Sequence, residues 1–438
     1  MTKILNFSLI LVILIHIWVA CSFELSHDEA YYWLYSQRLD WGFFDHPPMV
    51  GIIIKIFSFL PRSEVSIRLG FIFLQAISAY LLMQLVPKNR QWVSILLFFA
   101  FPLASFSGLL ALPDMPLLFM TTLYCVLLKR YLEKNDLFSI LGTGTVISLL
   151  LYSKYHGILV IFFTLVALPR LFKRKDFYFI ALIAIILFMP HVLWQYDHGF
   201  STLKYHFFER PKADFSFIRL AEYSVTQVFL AGLLVGSLVW WVVMKNKALN
   251  DFQRALKFIC VGTFIFFFVS TLSKKFEANW TIFLTIPLIV LAMQSNAWEK
   301  KWVKILLVAS FLPVFLGRFL FTLDPSVVKI KRLNEFHGWK KWAQTVEEKC
   351  PEPILANTYQ IASKLSFYLD RPIHALNLGS RKNQFDYWEP SSAYYLSPMV
   401  CYVTDKRQFD GEMVPSPDGK SLKLVQGFKP AKMEDNIP

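Results

Sequence analysis

Apolar residues fall in long blocks separated by short polar segments. A helix crossing a bilayer needs about 20 predominantly apolar residues, and about eleven blocks meet or approach that length. They lie at 4–21, 67–86, 92–111, 115–131, 138–152, 157–169, 177–195, 218–244, 256–272, 280–296 and 302–322. The blocks at 138–152 and 157–169 are short and predict tilted or broken helices. The run 49–60, MVGIIIKIFSFL, is shorter still and carries Lys55. Coming after Pro47-Pro48, it predicts a second helix lying in the membrane interface. From about residue 325 the blocks cease and Pro, Asn, Asp and Ser become common. There PILANTYQIASKLSFYLD followed by PIHALN predicts strand, helix and strand, and MVCYVTD a further strand. The expected architecture is a multi-span α-helical membrane body at 1–323 and a small extramembrane α/β domain at 324–438. The polar tail after Gly411 is expected to be loosely ordered.

Composition agrees with this pattern. Of 438 residues, 55% are hydrophobic and 17% aromatic, with mean hydropathy +0.44. A soluble globular domain is not usually so apolar. The net charge of +14 does not point to nucleic acid, because many basic residues sit in short loops between apolar blocks. Alternate loops carry Lys88 and Arg90; Lys129, Arg130 and Lys134; Arg170 and Lys173 to Lys175; Lys245, Lys247, Arg254 and Lys257; and Lys300, Lys301 and Lys304. By the positive-inside rule these are cytoplasmic. The N-terminus is then cytoplasmic and the C-terminal domain lies outside. The opening apolar run, which ends in Val19-Ala20-Cys21, is long for a signal peptide and reads as an uncleaved anchor.

That orientation gathers most conspicuous Asp, Glu and His residues on the outer face. The first outer loop, ELSHDEAYYWLYSQRLDWGFFDHPP (24–48), holds His27, Asp28, Glu29, Asp45 and His46 among aromatic residues. Ser26 to Glu29 fits a capping box, and the aromatics fit an interfacial belt. Those structural roles are compatible with a functional one, since a capped helix would hold Asp28 rigidly at the surface. Ionisable groups this close to the bilayer call for such a role. Asp114, in the turn LPDMP, is either a turn or cap residue or a second functional acid. Lys154 and His156 flank a tyrosine between two short blocks. Lys154 either snorkels to the interface or pairs with a phosphate. Lys274 and Lys275 stand outside against the positive-inside trend, which suggests an anionic ligand or outer-leaflet headgroups. Glu277 follows them in SKKFEANW. The loop 196–217 adds His198, His206, Glu209 and Arg210 as a possible lid.

The sequence holds no P-loop, zinc motif or dinucleotide fingerprint. Cys21, Cys125 and Cys260 lie in or beside apolar blocks, whereas Cys350 and Cys401 lie in the polar part and would form a disulfide in an oxidising compartment. Asp28, Glu29 and Asp114 offer ligands to a divalent cation without making a metal signature. A transporter or flippase of lipid-linked substrates and a non-catalytic scaffold are the competing classes. A transporter places its charges near the membrane midplane, whereas these blocks have interiors almost free of Asp and Glu.

HDEAYYWLYSQRLDWGFFDHPPMVGIIIKI resembles the first outer loop of bacterial GT-C-fold membrane glycosyltransferases. These include the protein O-mannosyltransferase-like group, glycosyltransferase families 39 and 83, and the lipid A aminoarabinose transferase. LPDMPLLF is similar to their second acidic loop and SKYHG to their basic motif. YQIASKLSFYLDRP and SRKNQFDYW look like the C-terminal domain of some members. The segment Glu277 to Trp280 departs from the His-containing pattern of some relatives. The resemblance implies a transferase of the bacterial inner membrane. It would move a sugar from a polyprenyl-phosphate donor to a lipid, glycan or protein acceptor on the outer face, usually with inversion. By position, Asp28 would be the catalytic base, with Glu29 and Asp114 completing the acidic set. Lys154 would bind the donor phosphate, with Lys274 and Lys275 as further candidates. His27, Asp45, His46, His156 and Glu277 would line the substrate site.

Overall fold

The computed structural model describes residues 2–205, 209, 213–350, 353–379, 381–388, 399–406 and 408–428. The chain begins with α1 (Thr2–Ala20). The segment 24–48 then forms α2 (His27–Gln37), the run 49–60 forms α3 (Met49–Ile56), and α4 (Glu64–Leu85) follows. Gly51 on α3 lies directly against α2; a Cβ there would stand 2.9 Å from the Cβ of Tyr35. The predicted span 92–111 is two helices, α5 (Gln91–Ala100) and α6 (Pro102–Phe106). Pro102 cannot donate a helical N–H, which ends the first helix. α7 (Asp114–Glu133), α8 (Leu137–Ser153), α9 (Gly157–Ala167) and α10 (Lys175–Asp197) succeed it, and then a single turn, α11 (Ser201–Lys204). The predicted span 218–244 is also divided, into α12 (Phe217–Leu230) and α13 (Gly236–Lys245). The break contains Gly232 at φ +111°, a backbone angle that a side chain opposes. α14 (Asp251–Ser270), α15 (Thr285–Ala292) and α16 (Lys301–Gly317) complete the bundle.

Among the described residues, α4, α7, α10, α14 and Lys301–Thr322 are long and apolar enough to cross a membrane. Ile4–Ala20, α8, α9 and Ala278–Ala292 are shorter apolar helices. Only 22% of the apolar windows of α10 and of Lys301–Thr322 is buried inside the protein. Apolar surface left exposed on such a helix is surface solvated by lipid. The chain is a multi-pass membrane protein.

Loops of each set meet one another. In the basic set, Arg90 donates to Glu299 at 2.7 Å, and Arg170 pairs with Asp251. In the acidic set, the N–H of Ala111 reaches Glu29 at 3.0 Å, and that of Ala213 reaches the carbonyl of Ser273 at 2.8 Å. The sorting read from charge therefore corresponds to two physical ends of the bundle.

After the short α17 (Pro325–Val328) come α18 (Trp339–Lys349) and β1 (Ile354–Ala356). They are followed by α19 (Tyr359–Leu369), β2 (His374–Ala375), β3 (Val400–Thr404), β4 (Glu412–Met413) and β5 (Lys423–Phe428). The sheet order is β2-β1-β3-β5-β4. β1 runs parallel to β2 and β3, and β5 lies antiparallel to β3. The predicted strand–helix–strand is present as β1-α19-β2. The expectation for the tail is corrected over 412–428, where β4 and β5 belong to the sheet and Leu422 and Leu424 are buried; 429–438 lie outside the described residues. Alternation of inward Leu422 and Leu424 with Lys423 supplies the strand pattern. Cys350 and Cys401 form a disulfide with a Cα–Cα separation of 5.7 Å, joining the end of α18 to β3.

This unit rests on α2. Trp33 of α2 meets Phe367 of α19 edge to face at 5.1 Å. The N–H of Leu25 donates to the Tyr368 hydroxyl at 2.9 Å. The Glu24 carboxylate accepts from the first N–H groups of α18, at Trp339 (2.6 Å) and Lys340 (3.2 Å). An acid at a helix N-terminus satisfies donors that have no intrahelical partner.

Candidate active site

The capping box is present. The Ser26 hydroxyl accepts from the N–H of Glu29 (3.1 Å), and Glu29 accepts from the N–H of Ser26 (2.9 Å). It sets Asp28 in the first turn of α2, and the two adjacent acids then diverge. Glu29 is fully buried and bound two-pronged by Arg68, at 2.7 and 2.9 Å. Arg68 also donates to the carbonyls of Ala20, Phe23 and Glu24 at 2.8–2.9 Å, so all five of its N–H groups are used. Burial would raise the Glu29 carboxyl, but Arg68 outweighs it and holds it below its ordinary value. This is the geometry of a positioning group. Arg68 was not singled out in the sequence; its signal is an arginine inside the apolar block 67–86.

Asp28 is half-buried. Its Oδ1 accepts from the Tyr359 hydroxyl at 3.1 Å. Burial, reinforced by Glu335 and Asp45, pushes its carboxyl up to about 6; Tyr359 and Arg381 oppose that rise. His27 leans on Trp339, with ring centroids 4.8 Å apart, and its Nε2 lies 3.6 Å from Asp418. Burial lowers its imidazole, which Asp418 partly offsets. Asp45 accepts from the Tyr31 hydroxyl (2.8 Å) and from Arg381 (2.7 Å). Just before Pro47-Pro48, the N–H of Phe43 donates to the His46 carbonyl at 3.2 Å. The His46 ring lies 5.7 Å from Tyr32.

A second cluster forms where α7, α8 and α9 meet. Lys154 Nζ donates to Asp114 Oδ1 at 2.9 Å, and Asn279 Nδ2 donates to Asp114 Oδ2 at 3.1 Å. Lys154 and Asp114 are 3% and 6% exposed; they are nearly, not wholly, closed off. No other hydrogen bond from the Lys154 ammonium is made among the described residues. His156 lies between Trp280 (5.3 Å) and Phe267 (5.7 Å). Lys275 and Glu277 are exposed and Lys274 is half-buried. His198 and Glu209 are described, while His206 and Arg210 lie outside the described residues.

Sequence reasoning missed Asn279, whose neighbours attracted attention but not its amide. It also missed Tyr359, Arg381 and Gln384, which reach the first outer loop from the C-terminal unit. The Gln384 side chain accepts from the N–H of Phe44, and its own N–H donates to the Tyr31 hydroxyl, both at 2.7 Å. No periodicity could show that residues more than 300 positions apart share a site.

Among the described residues, no three of His, Cys, Asp and Glu converge as a metal site. The donor chemistry agrees: Glu29 faces a guanidinium, and Asp114 faces an ammonium and an amide. Glu29 and Asp114 therefore offer no free carboxylate to a divalent cation in this arrangement.

The sequence profile of the dolichyl-phosphate-mannose-protein mannosyltransferase family matches residues 45–194. The lipid A galacturonosyltransferase RgtD of Rhizobium johnstonii is 22% identical over 285 residues, 61% of this chain. The match spans 59% of that relative's length. The crystal structure of ArnT from Cupriavidus metallidurans in the apo state has a TM-score of 0.68 at 11% identity, covering 98% of each chain. The same protein bound to undecaprenyl phosphate gives 0.66 at 12% identity, over 97% of this chain and 98% of that one. The chain has the GT-C fold of membrane glycosyltransferases.

Proposed function

We propose that this chain is an integral-membrane glycosyltransferase. It moves a sugar from a polyprenyl-phosphate donor to a hydroxyl of a lipid, glycan or protein acceptor, at the outer face of the bacterial inner membrane. Residues 1–323 are the catalytic membrane body and 324–438 a periplasmic unit. The supporting relatives are RgtD, named for galacturonosyl transfer to lipid A, and ArnT, solved with undecaprenyl phosphate. The Cys350–Cys401 disulfide suits an oxidising compartment.

The observation that carries this reading is Asp28. It is a half-buried carboxylate on a capped helix, with its pKa near 6 rather than near 4. A general base works best with a pKa close to the working pH. In the transfer, the acceptor O–H proton passes to Asp28 as the acceptor oxygen bonds the anomeric carbon. The bond from that carbon to the phosphate oxygen breaks, and the electron pair leaves with polyprenyl phosphate. Lys154 stabilises the charge gathering on the departing phosphate. A single displacement inverts the anomeric centre. Asp114 and Asn279 hold Lys154 in place, and Glu29 holds the α2 terminus.

The test is transfer by purified protein in proteoliposomes, from a panel of polyprenyl-phosphate sugars to membrane extract. Asp28→Asn is expected to lower turnover by about 10²–10⁴ with folding intact. Wild-type turnover in that variant would remove Asp28 as the base.

A further inference from the structure

The C-terminal unit reaches the reacting acid directly. Tyr359 stands at the first position of α19, and its hydroxyl donates to Asp28 Oδ1 at 3.1 Å. Among the described residues Oδ2 of Asp28 takes no hydrogen bond. One carboxylate oxygen is thus pinned while the other is left to receive a proton.

The pin is rigid for identifiable reasons. α19 is held across α2 by the Trp33–Phe367 contact and by the hydrogen bond from Leu25 to Tyr368. The buried Lys364 of α19 donates to the carbonyls of Leu25 and Glu335. The Tyr359 ring is held by Tyr31, with centroids 4.7 Å apart. Burial raises the phenol well above its ordinary value, so it stays a donor throughout the working range. The same unit holds Asp45 through Arg381, placing a cation beside the acid pair.

We propose that Tyr359 is the positioning residue for Asp28, so that the C-terminal unit is a working part of the active site and not an appendage. This rests on Asp28 being the base. The phenol orients Oδ2 toward the acceptor and stabilises the charged form of the carboxylate that must begin the reaction. The titrating and charged groups around Asp28 are Glu335, Asp45, Arg381, Tyr32 and the phenol itself, so the phenol's share is read by changing it alone.

The experiment uses full-length Tyr359→Phe in proteoliposomes, with the polyprenyl-phosphate sugar that supports wild-type turnover. Turnover is expected to fall about tenfold to a hundredfold, with KM for the donor within about twofold. The acidic limb of the pH–rate profile is expected to move to higher pH, because a donor to the charged form has gone. A purely structural role would not move that limb. A trifluorotyrosine at 359, a more acidic phenol in the same place, is expected to move it to lower pH and serves if the Phe variant does not fold. Wild-type turnover and limb in Tyr359→Phe, or lost turnover with an unmoved limb, would overturn the assignment. Asp28→Asn separates the failures. If it is inactive while Tyr359→Phe behaves as wild type, only the Tyr359 role falls; if it is fully active, the base assignment falls and this one with it.

Discussion

Two buried acid–cation pairs sit at the acidic end of this bundle, and they differ in saturation. In the Glu29–Arg68 pair both partners are fully buried, and every guanidinium N–H has an acceptor among Glu29 and three carbonyls. In the Asp114–Lys154 pair both partners keep slight exposure, and the ammonium uses one of its three N–H groups on a described residue. A saturated pair has nothing left to offer a ligand, whereas an unsaturated ammonium has N–H groups left to donate to a phosphate oxygen. The difference teaches that residue type alone does not separate an architectural charge from a chemical one.

The most severe way to test the contrast is Arg68→Met. It strands Glu29 without a counter-ion and leaves the carbonyls of Ala20, Phe23 and Glu24 without donors. Removing one partner of a buried pair costs about 3–5 kcal/mol, and little folded protein is expected by size-exclusion chromatography of the detergent extract. Folded protein with a wild-type melting temperature would show that the pair is not architectural.

The open pair should respond differently. With both partners neutralised, as Lys154→Met/Asp114→Asn, the chain is expected to fold, because no charge is left alone. Transfer is expected to fall about 10²–10³-fold, with weaker retention of polyprenyl phosphate in a lipid-binding assay. Normal transfer in the folded double variant would end the phosphate assignment.

Asp28 is the third case, an acid with a hydrogen bond but, among the described residues, no ion pair. With its pKa near 6, turnover should fall about tenfold per pH unit well below 6 and level off above it. The stability effect has the opposite sign. A carboxyl raised above its unfolded value near 4 keeps its proton in the folded state between pH 4 and 6. Its contribution is therefore complete at low pH and is lost as pH rises through about 6. Asp28→Asn should melt higher than wild type at pH 8 and almost equally at pH 4. An equal melting temperature at both would contradict a raised pKa.

The smallest effect is expected at the rim. Lys275 is exposed, and Lys275→Ala should change transfer by less than about twofold, since exposed charges are screened. A loss matching that of Lys154 would move the phosphate site toward the 273–280 segment.

Much of this protein was readable in order along the chain. Blocks of apolar residues located the helices, because a bilayer imposes length and apolarity on any segment crossing it. Ser26 and Glu29 announced their capping box, because that motif is local. Lys and Arg placement sorted the loops into two ends, since most charged residues lie in or beside the loops, Arg68 and Arg318 excepted. The helix breaks at Pro102 and Gly232 were less legible. Both sit inside blocks whose hydropathy alone reads as continuous.

What only the tertiary structure decided was which charged groups meet. Asp28 and Glu29 are neighbours in sequence and equivalent in chemistry. One is enclosed by Arg68, 39 positions on, and the other faces Tyr359, 331 positions on. A sequence states that both can carry a charge. Whether that charge is spent on an internal partner or kept for a substrate depends on distances between helices, and those distances exist only once the bundle and its C-terminal unit have packed.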